Sequence, residues 1–147
     1  CSREGKHMNA FVSEGLRITH ESALAMIHAG VAKATAIGVP QCIIIVDASG
    51  EVLASVRMDG AKLLSLRTAH AKARTAASSN APTGALGHEQ ALAVSITSKG
   101  AMTVLKGGLP VRFGGKLAGA IGVGSGTGDE DVEVGRAALA AVGADAV

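Results

Sequence analysis

The sequence predicts an α+β domain, an antiparallel sheet of about five strands flanked by helices. Three observations carry this. Apolar runs of strand length come in pairs joined by short turns, 42–46 with 51–58 and 109–113 with 116–123. Segments of helical spacing lie before, between and after these hairpins, instead of alternating with single strands as βαβ units do. The chain has 147 residues, which suits one domain with a sizeable core. There is no internal repeat and no linker.

Thr19 is placed to cap a first helix, with Glu21 in its first turn. Leu24, Ile27, Val31 and Ala34 follow at helical spacing, and Gly38 and Pro40 stop the helix. CIIIVD then reads as a strand buried on both faces. Ala48-Ser49-Gly50 is a turn, and EVLASVRM returns antiparallel. Asp59-Gly60 breaks that strand. A second helix is expected over 62–79, with an inner stripe of Leu63, Leu66, Ala69, Ala73, Ala76 and Ala77. Alanines there let a sheet come close. Asn80-Ala81-Pro82 ends this helix and opens a short one toward Ala91. A short strand is expected over 101–105. The hairpin 109–113/116–123 turns on Gly114-Gly115, a pair suited to positive φ. Thr127 and Glu130 form a T-x-x-E capping box at the head of a last, alanine-rich helix over 131–142.

Composition narrows the function. Apolar residues make up 48% of the chain, yet there are two Phe and no Trp or Tyr. The core is therefore built from Ala, Val, Ile and Leu. The net charge of +2, without a basic run or aromatic platforms, argues against nucleic acid as a partner. No apolar run approaches the ~20 residues of a membrane span. Cys42, in an apolar run, reads as a small buried hydrophobe, and Cys1 and Cys42 make no disulfide framework. Residues 1–15 read as an N-terminal segment, with 1–7 an appended stretch ahead of a natural start at Met8, and residues 16–147 as the domain. CSREGKHM has no signal-peptide core, so a cytoplasmic protein is expected.

Nine of the 25 residues from Gly107 to Asp131 are glycine. This is not a dinucleotide fingerprint: Gly122-x-Gly124-x-x-Thr127 lacks the third glycine and comes at the end of the chain. Asp129, Glu130 and Asp131 occupy the helix start where a phosphate would sit, so they read as partners of the helix dipole. No H-E-x-x-H or C-x-x-C occurs, and no metal site is expected. Arg67, His70 and Arg74 share one helix stripe at i, i+3 and i+7. That stripe is either a solvated basic face or an anion-receiving rim suited to carboxylates or propionates. Lys72 near a ligand carbonyl would act as acid, base or charge clamp, and Asp59 closes the second strand.

Three stretches together resemble the GlcG/HbpS-like family, also known as the haem-degrading or PduO C-terminal-like family. They are IVDASGEVLASVRMDGA at 45–61, AHAKARTA at 69–76 and GGLPVRFGGKLAGAIGVGSGTGDED at 107–131. The resemblance spans about 16–143. It implies a compact profilin-like fold of three layers and homo-oligomers. It also implies a catabolic setting, with haem bound by some members and related domains joined to cobalamin enzymes. Carried over by position, the pocket candidates are Met58, Asp59, Gly60 and Ala61, then Lys72 and Thr75, then Gly107, Gly108 and Pro110. This chain reads GVGSGT where many members read closer to GVSGGT.

The first reading is a homo-oligomeric protein that binds a small molecule, haem or a related tetrapyrrole. Its pocket would lie between the Asp59 loop, the Lys72 helix and the Gly108–Pro110 turn. Arg67, His70 and Arg74 would contact carboxylates, and Met58, His70 and Lys72 are the axial ligands on offer. The second is a small catabolic enzyme, lyase- or isomerase-like, acting on an oxygenated organic acid with Lys72 and Asp59 as acid and base. That reading requires the two side chains to converge on an enclosed pocket. The third is an assembly protein without a ligand, with its alanine-rich helices and Gly119-Ala120 as interface.

Overall fold

A computed structural model describes residues 9–147. Cys1, His7, Met8 and the expectation for 1–7 lie outside the described residues. The elements are α1 (His20–Ile37), β1 (Cys42–Asp47), β2 (Val52–Arg57), α2 (Ser65–Ser79), α3 (His88–Thr97), β3 (Gly108–Phe113), β4 (Lys116–Gly124) and α4 (Gly128–Ala141).

The strands form one four-stranded antiparallel sheet in the order β2-β1-β4-β3. The expected fifth strand at 101–105 is absent. Three of its backbone donors go to side chains instead of to a ladder, Met102 N–H to Ser98 Oγ, Thr103 N–H to Thr75 Oγ1 and Leu105 N–H to Thr103 Oγ1, and Ala101 N–H turns back to the Ser98 carbonyl oxygen. Those hydroxyls offer the backbone an alternative to the sheet. The second helix begins at Ser65, not Lys62, and Leu63 and Leu64 are exposed. The third lies later than expected, because Gly84 sits at positive φ and Gly87 is extended.

Both ends of α1 follow the sequence signals. Thr19 Oγ1 accepts from Ser22 N–H, and Gly38 closes the helix in the left-handed conformation. Its inner stripe is rotated from the expected one. Leu24 is exposed, while Ala23, Met26, Ile27, Gly30 and Ala34 are buried. Burying small residues lets α1 cross close to the sheet, where a Cβ on Gly30 would strike Ile43.

The sheet separates two cores. α1 and α4 pack on one face, over Ile43, Ile45, Leu109, Val111, Ile121 and Val123. α2 packs alone on the other, its Ala69, Ala73, Ala76 and Ala77 against Cys42, Ile44, Val46 and Ala120. This second interface explains much of the glycine density. A Cβ on Gly122 would overlap the Ala69 carbonyl oxygen, and one on Gly108 that of Lys72. The helix backbone rests directly on the strands, which only glycine permits. Gly119 and Ala120 are also buried, Gly119 beneath Ile18. They are core, not the interface the assembly reading expected.

Candidate functional site

The capping box fixes the start of α4: Thr127 Oγ1 accepts from Glu130 N–H, and the Glu130 carboxylate accepts from Thr127 N–H. From that start, Asp129, Val132, Glu133, Arg136 and Ala137 fall on one face by helical spacing. They form one wall of a groove of about 760 Å3, completed by Lys33 of α1, Pro82, Thr83, Lys106, Leu109 and Val147. Leu109, Val132, Ala137 and Val147 give it an apolar strip, and Lys33, Lys106 and Arg136 supply cations. Lys33 pairs with Glu133 at 3.2 Å and Lys106 with Asp129 at 3.3 Å. Arg136 Nε donates to the Val147 carbonyl oxygen at 2.9 Å. None of the groove's residues was a named site candidate, although Leu109 lies within the Gly108–Pro110 turn expected at the pocket and Asp129 was read as a partner of the helix dipole. The available signal was the alternation of acid, apolar and basic residues down one face of α4.

The residues expected to share a pocket lie in separate places. Met58 is half-buried, and its sulfur accepts from Gln41 N–H at 3.4 Å. Asp59 and Gly60 are exposed, with Gly60 over Pro40 and Ala61 half-buried beside the α2 core. Thr75 is buried, donating to the Ala71 carbonyl oxygen at 2.7 Å and accepting from Thr103 N–H at 3.0 Å. Gly107, Gly108 and Pro110 are buried inside the fold. A Cβ on Gly107 would come within 2.6 Å of the Val123 carbonyl oxygen, so these positions serve packing. Arg67, His70 and Arg74 do come together, in a pocket of about 220 Å3 with Lys99.

Lys72 is also inside, 4% exposed. Its ammonium donates to Asp131 Oδ2 at 2.7 Å and to the Val123 carbonyl oxygen at 2.8 Å. Asp131 is 1% exposed, and its Oδ1 accepts from Gly126 N–H at 3.0 Å. Burial pushes the Asp131 carboxyl above its ordinary value, opposed by the Lys72 ammonium and the Gly126 N–H. Asp131 is therefore more than a partner of the helix dipole. It is the counter-ion of a lysine on the opposite side of the sheet, and the pair ties α2 to α4. Asp59, out in solvent, does not converge on Lys72.

The fold and the groove define a small α+β domain with a ligand-sized concavity, and comparison with known proteins gives its family. Residues 18–140 match the family described as haem degrading protein HbpS-like. The chain belongs to that family. It is 35% identical over 131 residues to an uncharacterized 15.0 kDa protein in the dhaT-dhaS intergenic region of Citrobacter freundii, covering 83% of this chain and 89% of that one. The crystal structure of Klebsiella pneumoniae protein ORFY superposes with a TM-score of 0.83 at 31% identity, over 92% of this chain and 97% of that one. The crystal structure of a PduOC:heme complex superposes with a TM-score of 0.82 at 25% identity, over 89% of this chain and 99% of that one.

Proposed function

We propose that this chain is a homo-oligomeric protein that binds haem or a related tetrapyrrole, in the cytoplasm and in a catabolic setting. The observation that carries this is the groove along α4. Its volume of about 760 Å3 lies within the roughly 300–1,000 Å3 of small-molecule sites. The apolar strip of Leu109, Val132, Ala137 and Val147 suits a macrocycle, and Lys33, Lys106 and Arg136 suit its carboxylates. The Lys33–Glu133 and Lys106–Asp129 pairs are solvent-exposed. Such pairs contribute little, so a ligand carboxylate can take the place of either acid. The family and the haem-bound neighbour support the same reading.

The fit concerns the macrocycle and not the metal. Haem iron takes His, Met, Cys or Tyr as axial ligand, and none of the groove's lining residues is one of these. Met58, with its sulfur occupied, and His70, in its own pocket, are outside the groove. Bound haem would supply iron redox chemistry. The chain's own residues would hold the ring and neutralise its carboxylates. Arg67, His70 and Arg74 form a second cationic group for carboxylates. The exposed Leu63, Leu64, Leu92 and Ile96 support self-assembly.

The test is a hemin titration of the purified chain followed at the Soret band, with light scattering for the assembly. Saturation near one hemin per chain is expected, on a particle larger than one chain. A spectrum that never saturates would sink the reading. The catalytic alternative has no observation in its favour, since Lys72 is engaged inside the fold and Asp59 faces solvent.

A further inference from the structure

We propose that the polar cavity between the starts of α2 and α4 binds a small oxyanion, a carboxylate or phosphate group. The site shares only Lys106 with the groove, and the inference does not rest on the haem reading. The cavity measures about 220 Å3 and is walled by Lys62, Ser65, Thr68, Lys72, Ser125 and Asp131, among others.

Lys72 on its floor, and Gln41 in the layer behind it, carry buried hydrogen-bonding capacity that the protein does not use. An ammonium group has three donors. Lys72 spends two, on Val123 and Asp131, and the third has no partner among the described residues. Behind the wall residue Gly126 lies Gln41, fully buried. Both polar atoms of its side chain lack a hydrogen-bond partner. A Cβ on Gly126 would come within 2.6 Å of Gln41 Nε2 and 3.0 Å of Asp131 Oδ1. The Gln41 amide is close enough to Asp131 to lower its pKa, but no aligned hydrogen bond forms. Buried polar groups are paired in the great majority of cases, so such a cluster calls for an explanation.

The rim adds strain and charge. Ser125 has φ of 97°, in the region that favours glycine. Its Oγ accepts from Lys62 N–H at 3.0 Å, joining the turn before α4 to the segment before α2. Backbone strain of this kind gathers at ligand clamps. Asp131 is matched by Lys72 and Asp129 by Lys106. Lys62 has no acidic partner among the described residues, so the cavity carries one net positive charge. α2 starts with no acidic residue in its first turn and no side-chain cap. The positive end of its dipole is therefore not offset there.

Size limits the occupant. At about 220 Å3 the cavity falls below the roughly 300 Å3 at which drug-sized sites begin. It suits a single anionic group and excludes a macrocycle. Its lysines exclude a cation.

The test is calorimetric titration of the full chain with inorganic phosphate and, separately, with acetate, at constant ionic strength against a chloride control. Saturable binding of one of the two at millimolar concentration or below is expected, and which one binds tells phosphate from carboxylate. Lys62→Ala, an exposed position, is expected to weaken it at least tenfold while leaving the hemin titration unchanged. Ser125→Gly, which relieves the strain and removes the hydroxyl, is expected to raise Tm and weaken binding at least fivefold. Heats no larger than the chloride control for both anions, or affinities unchanged in both variants, would overturn the proposal.

Discussion

Replacing Lys72 with methionine leaves the Asp131 carboxyl 1% exposed with only the Gly126 N–H as a partner. Removing one member of a buried ion pair costs about 3–5 kcal/mol. The lower end applies here, because burial already holds Asp131 above its ordinary value and eases its protonation. We expect a loss of about 3 kcal/mol at pH 7, or roughly 6–12 °C in Tm for a chain of this size. Part of the loss should return as the pH is lowered and the stranded carboxyl takes up a proton. The double variant Lys72→Met/Asp131→Leu should recover to within about 1 kcal/mol of wild type, since apolar replacement of a buried pair is often neutral. The chain has no Trp or Tyr, so urea unfolding is best followed by far-ultraviolet circular dichroism at fixed protein concentration. A loss below about 1 kcal/mol, the scale of an exposed pair, would refute the reasoning. So would a double variant no more stable than the single one.

Gly122→Ala forces a Cβ against the Ala69 carbonyl oxygen and is expected to cost about 3 kcal/mol or more. Gly15→Ala, with open space around it, is the matched control, and equal unfolding curves for the two would contradict the close helix–sheet contact. Thr127→Ala removes the capping-box acceptor and should cost about 1 kcal/mol, read in the same unfolding assay. Asp131→Asn tests the pH dependence. The folded-state pKa of Asp131 is raised, so its contribution is fully present below the unfolded value and is lost as pH rises through the folded one. The stability difference, wild type minus Asp131→Asn, should therefore fall as pH rises through the raised Asp131 value, and a rising difference would show the opposite shift.

Local signals made most of the fold legible. Thr19 and Gly38 bounded α1, Gly114-Gly115 marked the hairpin turn, and Thr127 with Glu130 opened α4. Each depends on a few neighbouring residues, so the chain alone displays it. The failures needed tertiary information. The 101–105 segment has strand-like composition, but the hydroxyls of Ser98, Thr75 and Thr103 take three of its backbone donors. Leu24 fitted a helical stripe, yet the neighbour that α1 packs against selects Ala23 and Met26 instead. The site was less legible for the same reason. Asp131 looked like part of an acidic helix start, and nothing local reveals that Lys72, 59 residues away, lies across the sheet from it. Gly107, Gly108 and Pro110 mark a close approach of chain to chain. A ligand and a helix backbone demand the same glycine, and the sequence does not say which one is there. The Arg67–His70–Arg74 stripe was legible because three residues on one helix face need no tertiary contact to be neighbours.

The most direct measurement is the hemin affinity of the α4 groove variant Lys33→Ala/Arg136→Ala beside that of wild type. We expect saturable binding by wild type, weakened at least tenfold in the variant while its circular dichroism spectrum is unchanged. Equal affinities, or no saturable binding by the wild-type chain, would contradict the assignment of a tetrapyrrole to this groove.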